Sequence, residues 1–147
     1  MNKIVKILLI LAVIGLVSGF GVYMYVFHKP ERNIANEAPA FTISASDLLS
    51  QFSEKEDSCN KIYGNKTIQV SGKIVDITKK DNIVLTIILE NSNSGISCNF
   101  DSAYSVENAS SIGKFEMGVN IEIKGKCDGY DAIMGVVLTR CALIKTE

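Results

Sequence analysis

The sequence predicts a mainly β fold: a five-stranded barrel with an amphipathic helix before it, a short helix between its third and fourth strands, and one transmembrane helix ahead of both. Three observations carry that reading. An unbroken apolar run opens the chain, a segment of helical periodicity follows, and five segments alternating apolar with polar come after Lys66.

The run Ile7 to Phe27 holds 21 residues with no charge, behind Lys3 and Lys6. At about 1.5 Å per helical residue, that length covers roughly 30 Å of hydrocarbon. A helix also satisfies its own backbone, which a bilayer requires. Tyr23, Tyr25 and Phe27 stand at its exit end, where amphipathic rings favour the interface. A cleaved signal peptide with a cut near Gly19 or Gly21 is the competing reading. Against it, the apolar stretch runs past any small-residue site, and there is no Ala-x-Ala. The expectation is therefore a retained signal-anchor at 7–27 behind a flank at 1–6. Export of a domain with four cysteines favours a single-pass membrane protein, N-in and C-out, although the flanking charges are only slightly biased.

Residues 28–43 read as a tether. They contain both prolines of the chain, Pro30 and Pro39, among polar residues. The domain is then 44–147. Ser44 or Ser46 supplies a helix N-cap, with Asp47 in the first turn. Leu48, Phe52, Cys59, Ile62 and Tyr63 fall near one face of a helix of roughly four turns, with Gly64 as its C-cap.

From Thr67 to Ile77 the period is two. Ile68, Val70, Gly72, Ile74 and Asp76 lie on one side, and Gly72 suggests a bend or bulge. A turn at 79–82 leads to a second strand, Ile83 to Leu89, and a turn at 91–95 to a third, Ile96 to Phe100. Ala103, Val106, Ala109 and Ile112 then recur at helical spacing, which predicts a short helix or an irregular crossover. Met117 to Cys127 alternates strictly as a fourth strand, Asp128-Gly129 reads as a turn, and Val136 to Ile144 is the fifth strand. Three strands, a helix and two strands, with a long first strand bent at a glycine, is the order of an OB-fold barrel. An antiparallel meander with helices on one face is the alternative.

Composition narrows the chemistry. The chain has 15 Lys and Arg against 16 Asp and Glu; Lys3 and Lys6 precede the apolar run, so the part after Phe27 carries −3. An acidic domain is poorly suited to a polyanion, and Tyr63, Phe100, Tyr104, Phe115 and Tyr130 are too scattered for a stacking stripe. His28 is the sole histidine and belongs to the tether, so Ser and Cys nucleophiles lack a base. Asp76, Asp81, Glu90 and Asp101 sit at strand ends and turns, where carboxylates normally solvate the chain. No phosphate loop, cofactor motif or Cys-x-x-Cys metal spacing is present. The expectation is a protein without catalytic residues, cofactor or metal.

Cys59, Cys98, Cys127 and Cys141 form an even set, and disulfides are the leading reading, with buried thiols as the alternative. Four cysteines allow three pairings. Cys127 ends the fourth strand and Cys141 lies in the fifth, its neighbour in this barrel. A bond there would close a loop of about 15 residues and contribute roughly 3 kcal/mol. Cys98 could take either partner, because the third strand meets the fifth.

The segments also resemble a family. Tyr63-Gly64-Asn65-Lys66-Thr67-Ile68-Gln69-Val70-Ser71-Gly72-Lys73-Ile74 is similar to the first strand of the tRNA_anti-like OB-fold proteins. Ile96-Ser97-Cys98-Asn99-Phe100 resembles their third strand, Val119 to Gly129 their fourth and Val136 to Cys141 their closing strand, so the likeness runs from about Ser46 to Ile144. Many members, chiefly from Bacteroidetes-type bacteria, resemble this chain in having an N-terminal hydrophobic segment. Cys59 stands outside the family's usual cysteines. The resemblance implies the fold and leaves activity open.

The function expected is a non-enzymatic binding module held at the membrane, its ligand unknown. A protein, peptide or glycan partner near the membrane surface would meet the barrel face of strands two and three. Single-stranded nucleic acid is the alternative, disfavoured by the domain's negative charge.

Overall fold

The structure, a computed structural model, describes residues 2–27, 32–91 and 93–144. It divides into two units, 1–32 and 33–147. The first holds helix α1 (Lys3–Phe27), 25 residues with a mean hydropathy of 2.5 over its most apolar window and no side chain buried. It is long and apolar enough to cross a bilayer; a signal sequence has the same character. His28, Lys29, Pro30 and Glu31 lie outside the described residues.

The second unit is the barrel. Its elements are β1 (Phe41–Ser44), α2 (Ala45–Tyr63), β2 (Thr67–Lys80), β3 (Ile83–Leu89), β4 (Ile96–Asn99), α3 (Ser102–Glu107), α4 (Ala109–Ile112), β5 (Asn120–Asp131) and β6 (Gly135–Leu143). The strands run β2-β3-β4-β6-β5 and close by a β2–β5 pairing. All five expected strands are present in the expected order, and the closed barrel is that of an OB fold.

The long β2 makes closure possible because its two halves use different partners. Residues 67–73 pair with β5, and 74–80 pair with β3. The ladder with β3 slips between Ile74 and Asp76, so the bulge lies beyond Gly72 and the inward phase passes to Ile77, leaving Asp76 exposed. Gly72 has another reason. A Cβ there would stand 2.6 Å from the Cβ of Ala45, so the glycine gives α2 room to rest on the barrel.

The segment expected to be spacer is partly built into the domain. Ile34 is buried in a 3-10 turn, Ile34–Asn36. Phe41–Ser44 is a strand, parallel to residues 68–71 of β2 on the edge opposite β5. That pairing covers backbone groups that an OB barrel otherwise leaves open. Lys124 Nζ donates to the carbonyls of Ala35 (3.0 Å) and Glu37 (2.7 Å), fixing the turn to β5.

Ser44 caps α2 by accepting from Asp47 N at 3.2 Å. Ala45, Leu48, Phe52, Cys59 and Tyr63 face the core, whereas Ile62 is 44% exposed. The left-handed residue after this helix is Asn65 (φ 61), with Gly64 preceding it in extended geometry. At the crossover, the inward residues are Tyr104, Ser105 and Ile112, with Val106 exposed. Polar bonds decide this: Ser105 donates to Val84 O at 2.7 Å, and Tyr104 Oη accepts from Leu143 N at 2.9 Å. Asp128-Gly129, expected as a turn, lies within β5 as a bulge, with Gly129 at φ 106. The hairpin follows Asp131 instead.

Candidate ligand-binding face

The outward faces of three neighbouring strands form a shallow groove. Thr78 on β2 pairs with Thr86 on β3, which pairs with Asn99 on β4; one rung along, Ile88 pairs with Ser97. These side chains, with Ile133 and Met134 from the β5–β6 hairpin, line a cavity of about 280 Å³. Its lining combines hydroxyls and an amide with three apolar side chains and contains no ionisable group.

Each polar member is held by its surroundings. Thr86 Oγ1 donates to Asn99 Oδ1 at 2.8 Å, and Asn99 Nδ2 donates to Leu138 O at 3.3 Å, so the amide orientation is fixed from both ends. Ser97 is only 4% exposed at the groove floor. The hairpin rim is shaped by Asp131, whose Oδ1 accepts from Ile133 N (2.8 Å) and Met134 N (2.9 Å). Those N–H groups, Met134 first, hold the Asp131 carboxyl below its ordinary value. Ile133, 83% exposed, projects from this rim. Farther along the same hairpin, burial disfavours the Asp128 charge, but bonds from Lys126 (2.7 Å) and Thr139 (2.8 Å) outweigh it and hold that carboxyl low.

Two of the carboxylates weighed from sequence, Asp76 and Glu90, serve the backbone, and the Asp101 side chain makes no cap bond to α3. Asp76 accepts from Ile77 N, Glu90 accepts from Lys73 N, and Asp81 (φ 52) with Asn82 (φ 66) makes the tight β2–β3 turn. Among the described residues no three His, Cys, Asp or Glu side chains gather as a metal site. The groove residues themselves carried no signal in the sequence, because Thr78, Thr86, Ser97 and Asn99 look like any solvent face of a strand.

All four cysteines are buried thiols, and no disulfide joins them. The expected Cys127–Cys141 bond is not formed, and the two thiols have different cysteine neighbours. Cys127 lies opposite Leu138, and Arg140 (φ 52) breaks the alternation of β6 before Cys141. Cys127 is near Cys59 of α2, while Cys141 lies against Cys98 of β4. Burial pushes the Cys59, Cys127 and Cys141 thiols up, Cys141 most, where the Cys98 thiol adds to the effect.

A closed barrel whose outer strand face carries an uncharged groove defines a small OB-fold domain. Residues 1–143 match the family model described as tRNA_anti-like, and the chain belongs to that family. No curated protein matches it. A crystal structure from Klebsiella pneumoniae subsp. pneumoniae, of a protein provisionally called a nucleic acid-binding lipoprotein, superposes with a TM-score of 0.54. It shares 20% identity over 71% of this chain and 91% of that one. The Stn1–Ten1 complex of S. pombe gives a TM-score of 0.35 at 15% identity, over 54% of this chain and 59% of that one. A Leishmania major protein provisionally called an aspartyl-tRNA synthetase gives 0.42 at 8%, over 81% of this chain and 23% of that one. The Klebsiella likeness establishes the shared fold.

Proposed function

We propose that this chain is a membrane-anchored, non-enzymatic OB-fold module that takes a neutral extended chain, a peptide or a glycan, into the groove between β2, β3 and β4. The observation carrying this reading is the uncharged lining: hydroxyls, one oriented amide and aliphatic side chains suit a neutral polymer better than a phosphodiester. OB barrels bind oligosaccharides as well as oligonucleotides through this face. In this reading α1 is retained as the anchor, with the domain on the extracytoplasmic side.

Amide chemical-shift mapping with neutral oligosaccharides and uncharged peptides tests the reading. Shifts are expected at Thr86, Ser97 and Asn99, and Asn99→Ala is expected to weaken binding tenfold or more by about 1.4 kcal/mol. Failure of both ligand sets to move these amides at millimolar concentration would end it.

The second reading, a single-stranded nucleic-acid binder, has support in the provisional description of the Klebsiella protein. Lys79 and Lys80 follow the groove residue Thr78 on β2 and are exposed. Titration with a single-stranded oligonucleotide at low salt decides between them. Affinity that falls steeply with salt, and falls further in Lys79→Ala/Lys80→Ala, would favour the nucleic-acid reading.

A further inference from the structure

The core contains a feature that ligand binding does not use. Cys98 and Cys141 are 0% and 2% exposed and share one apolar cluster. β4 and β6 are adjacent parallel strands, with Cys98 opposite Leu138. If β6 kept its alternation from Leu138, Cys141 would point outward. Arg140 instead adopts φ 52, a left-handed conformation uncommon for a residue with a side chain. The β5–β6 ladder slips at the same place, between Lys124 and Lys126, and both Cys141 and Ala142 become buried. Gly125 makes room for the result, since a Cβ there would stand 2.7 Å from Cys141 Sγ. The Cys141 side chain then meets β4 at Cys98 and the Asn99 backbone. A strained residue and a glycine thus combine to bring one cysteine against another.

We propose that Cys98 and Cys141 are a disulfide-forming pair, which closes during folding in the presence of a small-molecule disulfide and links β4 to β6. One thiolate attacks a sulfur of the donor, giving a mixed disulfide and releasing one donor thiolate. The second protein thiolate then attacks the protein sulfur of that mixed bond and expels the other donor thiolate. Two protein thiols are oxidised by two electrons, and the donor is reduced to two thiols, their protons balancing the two lost from the cysteines. Burial makes the pair inaccessible once the barrel is shut, so reduced folded protein reacts slowly while folding chains react quickly.

The full chain in detergent, denatured and reduced, is refolded with glutathione disulfide, alkylated and mapped by mass spectrometry. A peptide linking Cys98 to Cys141 is expected, with a Tm at least 10 °C above that of the reduced form, as a loop of this size implies. The same oxidant added to reduced folded protein is expected to form the link at least tenfold more slowly. Cys98→Ser and Cys141→Ser should each abolish the link, and the mapping of wild-type protein stands even if either variant folds poorly. Both cysteines found alkylated after oxidative refolding, or either joined to Cys59 or Cys127, overturns the proposal. The experiment contains no groove ligand and no membrane, so its outcome is independent of the proposed binding function.

Discussion

The two halves of β2 are one strand under two sets of demands. Residues 67–73 pair antiparallel with β5, residues 68–71 among them pair with β1 on the other edge, and α2 rests on this half through Ala45 at Gly72. Residues 74–80 run out along β3 and become exposed, ending in Thr78 at the groove and Lys79-Lys80 at the turn. The first half has its backbone and side chains committed to the fold. The second keeps one face in solvent, where polar side chains can meet something else. Commitment to the fold and an open polar face are therefore separated along a single strand.

The largest effect that tests this separation comes from equivalent truncations in the two halves. Ile68, fully buried, lies opposite Gly125 on β5 and Phe41 on β1. Ile68→Ala should cost about 2–5 kcal/mol, because a cavity forms where three elements meet. Thr78→Ala should change stability by less than about 0.5 kcal/mol. Urea denaturation of both variants provides the comparison, and similar losses would show that the halves are not distinct.

Next in size is Gly72→Val. Its Cβ would meet Ala45 at 2.6 Å and Glu90 Oε1 at 3.1 Å, so the start of α2 must lift from the strand. A loss of about 1–3 kcal/mol is expected from overpacking. Restoring space with Ala45→Gly in the same chain should recover part of it, which would distinguish this contact from a general intolerance of β2.

A smaller change should go the other way. Thr67 is buried at the head of β2, and its Oγ1 has no hydrogen-bond partner among the described residues. Thr67→Val keeps the shape and removes the unpaired hydroxyl, so it should stabilise the domain by about 1 kcal/mol. Thermal unfolding reads this directly; a destabilised variant would mean that the hydroxyl has a partner in solution.

Much of this architecture was legible because the committed half of the molecule alternates cleanly. Ile68, Val70, Ile74, Ile121, Ile123 and Cys127 announced their strands through their period, and Ser44 announced a helix start through capping chemistry. What escaped depends on residues far apart in sequence. Four residues, Phe41 to Ser44, are too few to show a period, and their strand exists only because residues 68–71 present an edge. The approach of Cys141 to Cys98 depends on a conformation at Arg140 that no residue type dictates. Ile62 illustrates a subtler miss, since helical spacing near Tyr63 does not determine which of two neighbours faces the barrel. The groove was hidden for the opposite reason: its residues are ordinary on a solvated strand, and only the register Thr78–Thr86–Asn99 brings them together.

The smallest expected effect concerns the rim of that groove. Asp131 is bonded to the amides of Met134 and Ile133, which lower its pKa in the folded chain. A carboxyl depressed on folding contributes in its charged form above the unfolded value of about 3.8, and the contribution is lost as pH falls through the lower folded value. The hairpin should therefore keep its form from neutrality down to about pH 4 and loosen only in stronger acid. Global stability should scarcely register this, because the group is on the surface. Hydrogen exchange at the Ile133 and Met134 amides is the sensitive measurement, with protection falling below pH 4 in the native chain. Asp131→Asn retains a carbonyl acceptor and should remove the acid dependence while preserving part of the protection. Asp131→Ala should lose protection at every pH, and if its hairpin amides exchanged as slowly as those of the native chain, the rim would be held by something other than this carboxylate.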